Sequence, residues 1–438
     1  MPRLPRAILL TATLALAASA GVTAPRHPGP TRAAAVPPPA PVPPSVEQLV
    51  RELGHSDFAT RERASAALRD LGSAALPAVR RAADGTDPEA RARARALLPG
   101  LQLQAALEPR RVTLPPEPMT LDEAVTEITR QTGCAVTAEP GDGPERYSFG
   151  MTDVPFWDAV GRLAARTGLA LSPDPSARRV CLVRQGSRPP FVAVDGAFRV
   201  ELTQIHEDRD VDFTTPGAGR RDHIVALKLS VMAEPRFLVL ASRPARITAA
   251  TDDRGGALAA PASGDVNCPR SPVGGEVWGT VFWAPAEGLL RRSPAGGTTL
   301  SVVAGSVPMR VVVDRRRVRI PYHAAVGKPV AVGNETVTLL RVDRGEGGGL
   351  SLNLQFPAEG EGMTTERWHQ RLIVEDIWGN RLSPNGYGSG SGGGVRYISA
   401  DFQAPAGWFN TYASQLVVEE WVVAEHRVRF AFKDVPLP

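Results

Sequence analysis

The chain has 438 residues, more than one ordinary domain needs, and its 43% apolar content is enough for several cores; at roughly 100 to 200 residues per domain, three or four units are predicted. The net charge is only +4, and the basic residues are nearly all Arg, with Lys only at Lys228, Lys328 and Lys433. Acidic residues balance the Arg along the chain, which argues against a nucleic-acid surface, and no nucleic-acid partner is expected.

The N-terminus carries Arg3 and Arg6, the apolar run Ala7 to Ala18, and small residues at Ala18-Ser19-Ala20 and Val22-Thr23-Ala24. Basic start, apolar middle and small-residue cleavage sites predict a Sec-type signal peptide over residues 1–24, and hence an extracytoplasmic protein, periplasmic or secreted. Retention as an N-terminal anchor is the alternative. The run is shorter than the about 20 residues that span a bilayer, so no integral membrane segment is expected in the mature chain. Residues 25–44 are dense in Pro and Ala and predict an extended linker.

Apolar residues at Val46, Leu49, Val50 and Leu53 share one helical face, and Gly54 ends that helix. A second helix places Ala64, Ala67, Leu68 and Leu71 on one stripe before Gly72, and a third carries Leu76, Val79 and Ala83. A fourth opens at Asp87-Pro88, an N-cap followed by Pro at the first helical position. Residues 46 to 104 resemble HEAT-like helical repeats through Asp57 to Arg63, Leu68 to Gly72 with Leu76-Pro77, and Asp87-Pro88-Glu89 with Arg91. A helical region over 45–105 is therefore expected, either capping itself on the next domain or docking on a partner.

Thr120-Leu121-Asp122-Glu123-Ala124-Val125 through Gly133 recurs as Pro155-Phe156-Trp157-Asp158-Ala159-Val160 through Gly168. Each copy is an amphipathic helix closed by a glycine suited to the left-handed position. With strands before, between and after them, residues 108–186 predict a β-α-β-β-α-β-β domain whose core includes Leu121, Val125, Ile128, Phe156, Val160 and Leu163. Met119 to Gly133 and Val154 to Leu169 resemble the short N-terminal domain of secretins and TonB-dependent receptors. That resemblance implies a periplasmic docking module contacting other envelope proteins. Cys134 and Cys181 fall in this domain and either pair or remain buried thiols; with Cys268 they are too few for a disulfide framework.

Residues 190–438 repeat a pattern. Phe198, Val200, Leu202 and Ile205 answer to Glu335, Val337, Leu339 and Val342, and the alternating Val225 to Val231 answers to Leu350 to Phe356. Asp252-x-x-Gly255-x-x-Leu258 matches Asp376-x-x-Gly379-x-x-Leu382, Phe282-x-Ala284-Pro285 matches Phe402-x-Ala404-Pro405, and Arg317 to Ile320 matches Arg427 to Phe430. Order and spacing predict two duplicated all-β, sandwich-like modules over 190–321 and 327–438, with His206 to His223 lengthening a hairpin of the first and Asn385 to Gly394 forming a loop of the second. The fold class is thus multidomain: a short HEAT-like helical stack, a small α+β domain, then two sandwich-like modules.

The histidines are dispersed, without paired metal spacing or an H-E-x-x-H helix, and no G-x-S-x-G elbow is present. No catalytic residue, cofactor or zinc site is indicated. Asp208, Asp210 and Asp212 alternate as carboxylates that calcium would accept from a loop, or they line a solvated hairpin tip. Asp252 and Asp376 are expected to make Asx-type turns. Trp283 and Trp378 are the surface candidates for stacking or anchoring, because Gln403 and Arg254 stand at the matching positions of the other copy. The pattern favours a non-catalytic exported envelope scaffold or adaptor with an envelope or periplasmic protein partner. The alternative is an extracytoplasmic carbohydrate-binding protein using the β modules.

Overall fold

The computed structural model describes residues 44–139, 145–174, 177–186, 188–212, 220–261, 274–276, 281–292, 296–321, 325–333, 335–344, 349–357, 365–403 and 413–438. The expected signal peptide, the linker up to residue 43 and Cys268 lie outside them. Val46–Pro438 forms one compact unit, helical at its N-terminal end and mostly β thereafter. No helix among the described residues is long and apolar enough to cross a membrane.

Helices α1 (Val46–Glu52), α2 (Phe58–Leu71), α3 (Leu76–Ala83) and α4 (Pro88–Leu107) enclose a small core of Leu49, Leu53, Leu68, Val79, Leu97 and Leu101. Their starts follow from capping: the Asp57 carboxylate accepts from the Thr60 amide, and Asp87 accepts from the amides of Glu89 and Ala90. Leu71, expected on the buried stripe, is instead exposed, because α2 passes into a 3-10 turn at Gly72 that ends the stripe. The far end of α4 leaves this core, and Leu103 and Leu107 pack on the first β core.

Next come β1 (Arg111–Leu114), β2 (Met119–Thr120), α5 (Leu121–Thr132), β3 (Ala135–Ala138), β4 (Arg146–Tyr147), β5 (Met151–Pro155), α6 (Phe156–Thr167), β6 (Ala170–Asp174) and β7 (Arg179–Val183). A Thr120/Glu123 capping box starts α5, and Gly133 and Gly168 end the two helices at φ 69° and 71°. β1 pairs antiparallel with β5, while β7 is parallel to β3 and antiparallel to β6. Val125, Ile128, Phe156, Val160 and Leu163 are buried in one core, with Leu121 half-buried at its margin. Cys134 and Cys181 are both free thiols: Cys134 is buried, which pushes its thiol up to about 11, and Cys181 faces Thr137 across the ladder.

The first β layer holds β8 (Val192–Asp195), β9 (Phe198–Asp212), β10 (Arg220–Ala233) and, after β11 (Leu238–Ser242), β12 (Arg246–Asp252) and β13 (Gly275–Glu276), the strand β14 (Trp283–Arg291). These run β14-β10-β9-β8 in one sheet. β15 (Thr299–Ile320) is 22 residues long, about 70 Å at ~3.3 Å per residue. The second layer has β16 (Pro329–Val332), β17 (Glu335–Arg344), β18 (Leu350–Pro357), a 3-10 segment Thr365–Arg371, β19 (Leu372–Asp376), β20 (Ser383–Gly392), β21 (Val395–Gln403) and the 24-residue β22 (Ala413–Pro436). Its sheet runs β16-β17-β18-β21-β20.

The two long strands join these layers. β15 and β22 pair antiparallel from Thr299↔Pro436 to Ile320↔Leu416, interrupted only by a bulge at Val313, between Val312↔Val423 and Asp314↔Val422. β11 and β12 pair with β15 up to Val312, and β19 pairs with β22 from Ala413 to Val418. Opposite halves of one six-stranded sheet thus cover the two smaller sheets. Leu416 and Val418 enter the second core, and Ala424, Val428, Phe430 and Phe432 enter the first. All are even-numbered, so strand alternation puts both cores on the same face.

This exchange corrects the expected division at residue 321, since β22 completes the first sandwich and the end of β15 enters the second. Two further expectations change. Asn385 to Gly394 is mostly strand β20 rather than a loop, because backbone pairing with β21 needs no side chains and Gly393 and Gly394, at φ 61° and 76°, make the hairpin turn. Phe282 and Phe402 are not equivalent: Phe282 precedes β14 near Met232, whereas Phe402 ends β21 opposite Leu350.

Residues 190–321 made alone lack the buried Val428, Phe430, Phe432 and Val435. At about 1.5–3 kcal/mol each, these withhold on the order of 6–12 kcal/mol, comparable to a whole domain's stability. The fragment is expected to be unfolded by circular dichroism and to gain structure when a 423–438 peptide is added. A cooperatively folded 190–321 fragment would contradict the strand exchange.

Candidate functional site

Trp378 lies where the sequence placed it, on the surface. It stands 67% exposed beside Ile377 at 59%, at the tip of the turn that follows β19. Asp376 Oδ1 accepts from the amides of Trp378 (2.9 Å) and Asn380 (2.8 Å), and the Gly379 amide donates to the Asp376 carbonyl. The turn after β12 repeats this set. There Asp252 Oδ1 accepts from the amides of Arg254 (3.1 Å) and Gly256 (2.6 Å), and the Gly255 amide donates to the Asp252 carbonyl. Gly255 and Gly379 have φ of 78° and 84°, a region that disfavours any residue with a Cβ. Both aspartates make the expected Asx-type turns. The ladders before them also match, with one extra residue, Thr203 or Leu340, bulged out of β9 and β17.

Trp283, expected on the surface, is half-buried. It opens β14 opposite Met232, against the α+β core, because Phe282 and Met232 are drawn into that core and carry the indole with them. Asp208, Asp210 and Asp212 lie on β9, not on a loop, facing Ile224, Asp222 and Arg220 in the ladder. Alternate residues of an extended strand stand ~6.5 Å apart in a row, whereas calcium sites of the kind expected draw their oxygens from a wrapped loop. Asp208 instead lies 2.8 Å from His206 Nε2. No group of three or more His, Cys, Asp or Glu side chains among the described residues is placed to hold a metal.

The structure assembles a second site that the sequence did not suggest, at the junction of the α+β module with the first sandwich. Trp157 Nε1 donates to the Ala197 carbonyl at 3.1 Å. The Glu234 carboxylate is fully buried, accepts from the Arg110 amide at 2.8 Å, and holds Arg236 Nε at 2.6 Å. Burial pushes its pKa up, against the pull of Arg236 and the amide. Arg236 continues to the carbonyls of Ala106 and Glu108 at the end of α4. Arg178, held at φ 48° in the β6–β7 turn, donates from Nη2 to the carbonyls of Pro235 (2.8 Å) and Phe237 (2.9 Å). Beside these contacts opens a cleft of about 490 Å³ reaching the bulge of β15. Its members come from four distant segments, none with a local motif to mark it.

No family model matches the chain, and neither a curated protein nor a solved structure matches it.

Two outcomes follow from these contacts. Asp252→Ala and Asp376→Ala should each cost about 1–2 kcal/mol by urea denaturation, with Asn at either position costing less; unequal turns would show as one silent substitution. Glu234→Ala strands the Arg110 amide and the Arg236 guanidinium in the interior and should cost about 3–5 kcal/mol. Glu234→Gln, still an acceptor for Arg110, should cost less, and an Ala variant within 1 kcal/mol of wild type would remove Glu234 from the junction.

Proposed function

We propose that the chain is a non-catalytic scaffold or adaptor exported to the cell envelope, which binds an envelope protein through the tip formed by Ile377 and Trp378. The carrying observation is that one turn geometry occurs twice with opposite surface chemistry. After β12 the tip residues are Asp253 and Arg254; after β19 they are Ile377 and Trp378, both more than half exposed. The same backbone bonds hold both turns, so neither apolar side chain is needed for folding. An exposed tryptophan beside an isoleucine on a rigid turn is the chemistry of an interface anchor.

Other features support the reading. The resemblance of residues 46–104 to HEAT-like repeats and of 111–184 to the short N-terminal domain of secretins and TonB-dependent receptors belongs to docking modules. We read the second sandwich as a diverged copy of the first, on the strength of the shared bulge and turn. Divergence at the tip then adds a contact to an inherited frame.

A carbohydrate ligand is favoured by one separate observation. Tyr397 is 41% exposed on the five-stranded sheet and stands opposite Gly390, where an added Cβ would meet open space. Its ring flank is therefore open to a stacking partner.

The test replaces the tip by its twin, Ile377→Asp with Trp378→Arg, in the full exported chain. The melting temperature should stay within about 1 °C, as for a surface change. Photo-crosslinking in the native envelope fraction should lose the partner that the wild-type chain captures. Unchanged crosslinking with the double variant rejects the tip, and glycan-array binding abolished by Tyr397→Ala would favour the carbohydrate reading.

A further inference from the structure

We propose that the cleft between the α+β module and the bulge of β15 binds an oxyanion, a carboxylate or phosphate group of a small ligand, held between Arg178 and Arg315. Three guanidinium groups line this cleft, those of Arg178, Arg236 and Arg315, against the single carboxylate of Asp314. Arg236 is neutralised by Glu234 at 2.6 Å, and Asp314 already accepts from the Arg315 amide at 2.8 Å. Among the described residues, the ion pair of Arg315 is a long one with Glu419, 3.9 Å, and Arg178 donates to the uncharged carbonyls of Pro235 and Phe237.

Two donors stand out. Arg178 Nε and Arg315 Nη2 are buried atoms with no hydrogen-bond partner among the described residues. A buried N–H of a charged group left unpaired is costly, and proteins keep few of them without a reason. The two guanidiniums also repel each other: burial, and after it the charge of Arg315, brings the Arg178 pKa down to about 10, against a smaller opposing pull from Glu419. An anion in the cleft would lie against both guanidiniums and offset their mutual repulsion, through the forked charge-assisted bonds that Arg makes with carboxylate and phosphate.

The backbone supports the same conclusion. The extra residue Val313 breaks the register of an otherwise continuous ladder where Asp314 and Arg315 meet the cleft, and bulges re-aim side chains in this way beside functional sites. On the opposite wall, Arg178 keeps a positive φ that a non-glycine residue adopts only when its surroundings impose it.

The experiment is calorimetric titration of the full chain with sodium phosphate and, separately, with citrate, each against sodium chloride of equal ionic strength. Saturable binding of at least one is expected; phosphate alone identifies a phosphoryl ligand and citrate alone a carboxylate. Arg315→Gln should weaken binding by about tenfold or more, the loss of one charge-assisted bond. If circular dichroism shows that variant to be unfolded, Arg315→Lys takes its place, with a severalfold loss expected because the charge stays and the fork goes. No binding beyond the chloride control, or undiminished binding in the folded Arg315 variant, overturns the proposal.

Discussion

The antiparallel ladder of β15 and β22 is the contact on which the rest of the β half depends. Each strand begins in one sandwich and ends in the other, so neither core can close until residues as distant as Thr299 and Pro436, or Ile320 and Leu416, have paired. The first core waits for Val428, Phe430 and Phe432, which are among the last residues of the chain; the second takes Ile320 from the end of β15. Long-range pairing of this kind is slow to form because loop closure comes before its reward. Once formed, it makes two modules one body, with no hinge between them along the shared sheet.

Charged groups then fasten the other parts to that body. Glu234 and Arg236 tie the end of α4 and the start of β1 to the turn before β11, and Arg178 ties the α+β module to the same turn. In the second sandwich the buried Arg371 donates to the Glu419 carbonyl at 2.6 Å and to Glu335 at 2.7 Å, with its guanidinium 3.7 Å from the Trp368 ring centroid. Burial draws the Arg371 pKa down while Glu335 pulls it back up. Such buried charges add little net stability but are costly to break, so they define which surfaces meet. Under the proposed function, a rigid frame of this kind would hold the tip at Ile377 and Trp378 in place.

Local signals were the legible ones. The cap at Asp87, the glycines at Gly133 and Gly168, and the helical stripes at Val125 and Val160 act within a few residues, so they can be read from spacing. The D-x-x-G turns were legible for the same reason, since the bonds from the Asp Oδ1 that shape them stay within the turn. Register was not: the Phe282 and Phe402 motifs look alike because alternation repeats every two residues, and a slip along the strand leaves the pattern unchanged. Nor was the glycine run at Gly386 to Gly392, where turn-forming composition conceals a strand held by its backbone alone. The Trp283 environment, the Glu234 junction and the Arg178–Arg315 cleft depend on tertiary contacts that no local window contains.

Backbone hydrogen exchange along the two long strands tests the central claim most directly. If the ladder makes the sandwiches one cooperative body, the amides of Val303 to Val311 in the first module and Val318 to Ile320 in the second should exchange at one slow rate set by global unfolding. A common rate on β22 from Leu416 to Phe432 would agree. Two separate rates, changing at the Val313 bulge, would contradict the account and leave two independent modules joined by a flexible seam.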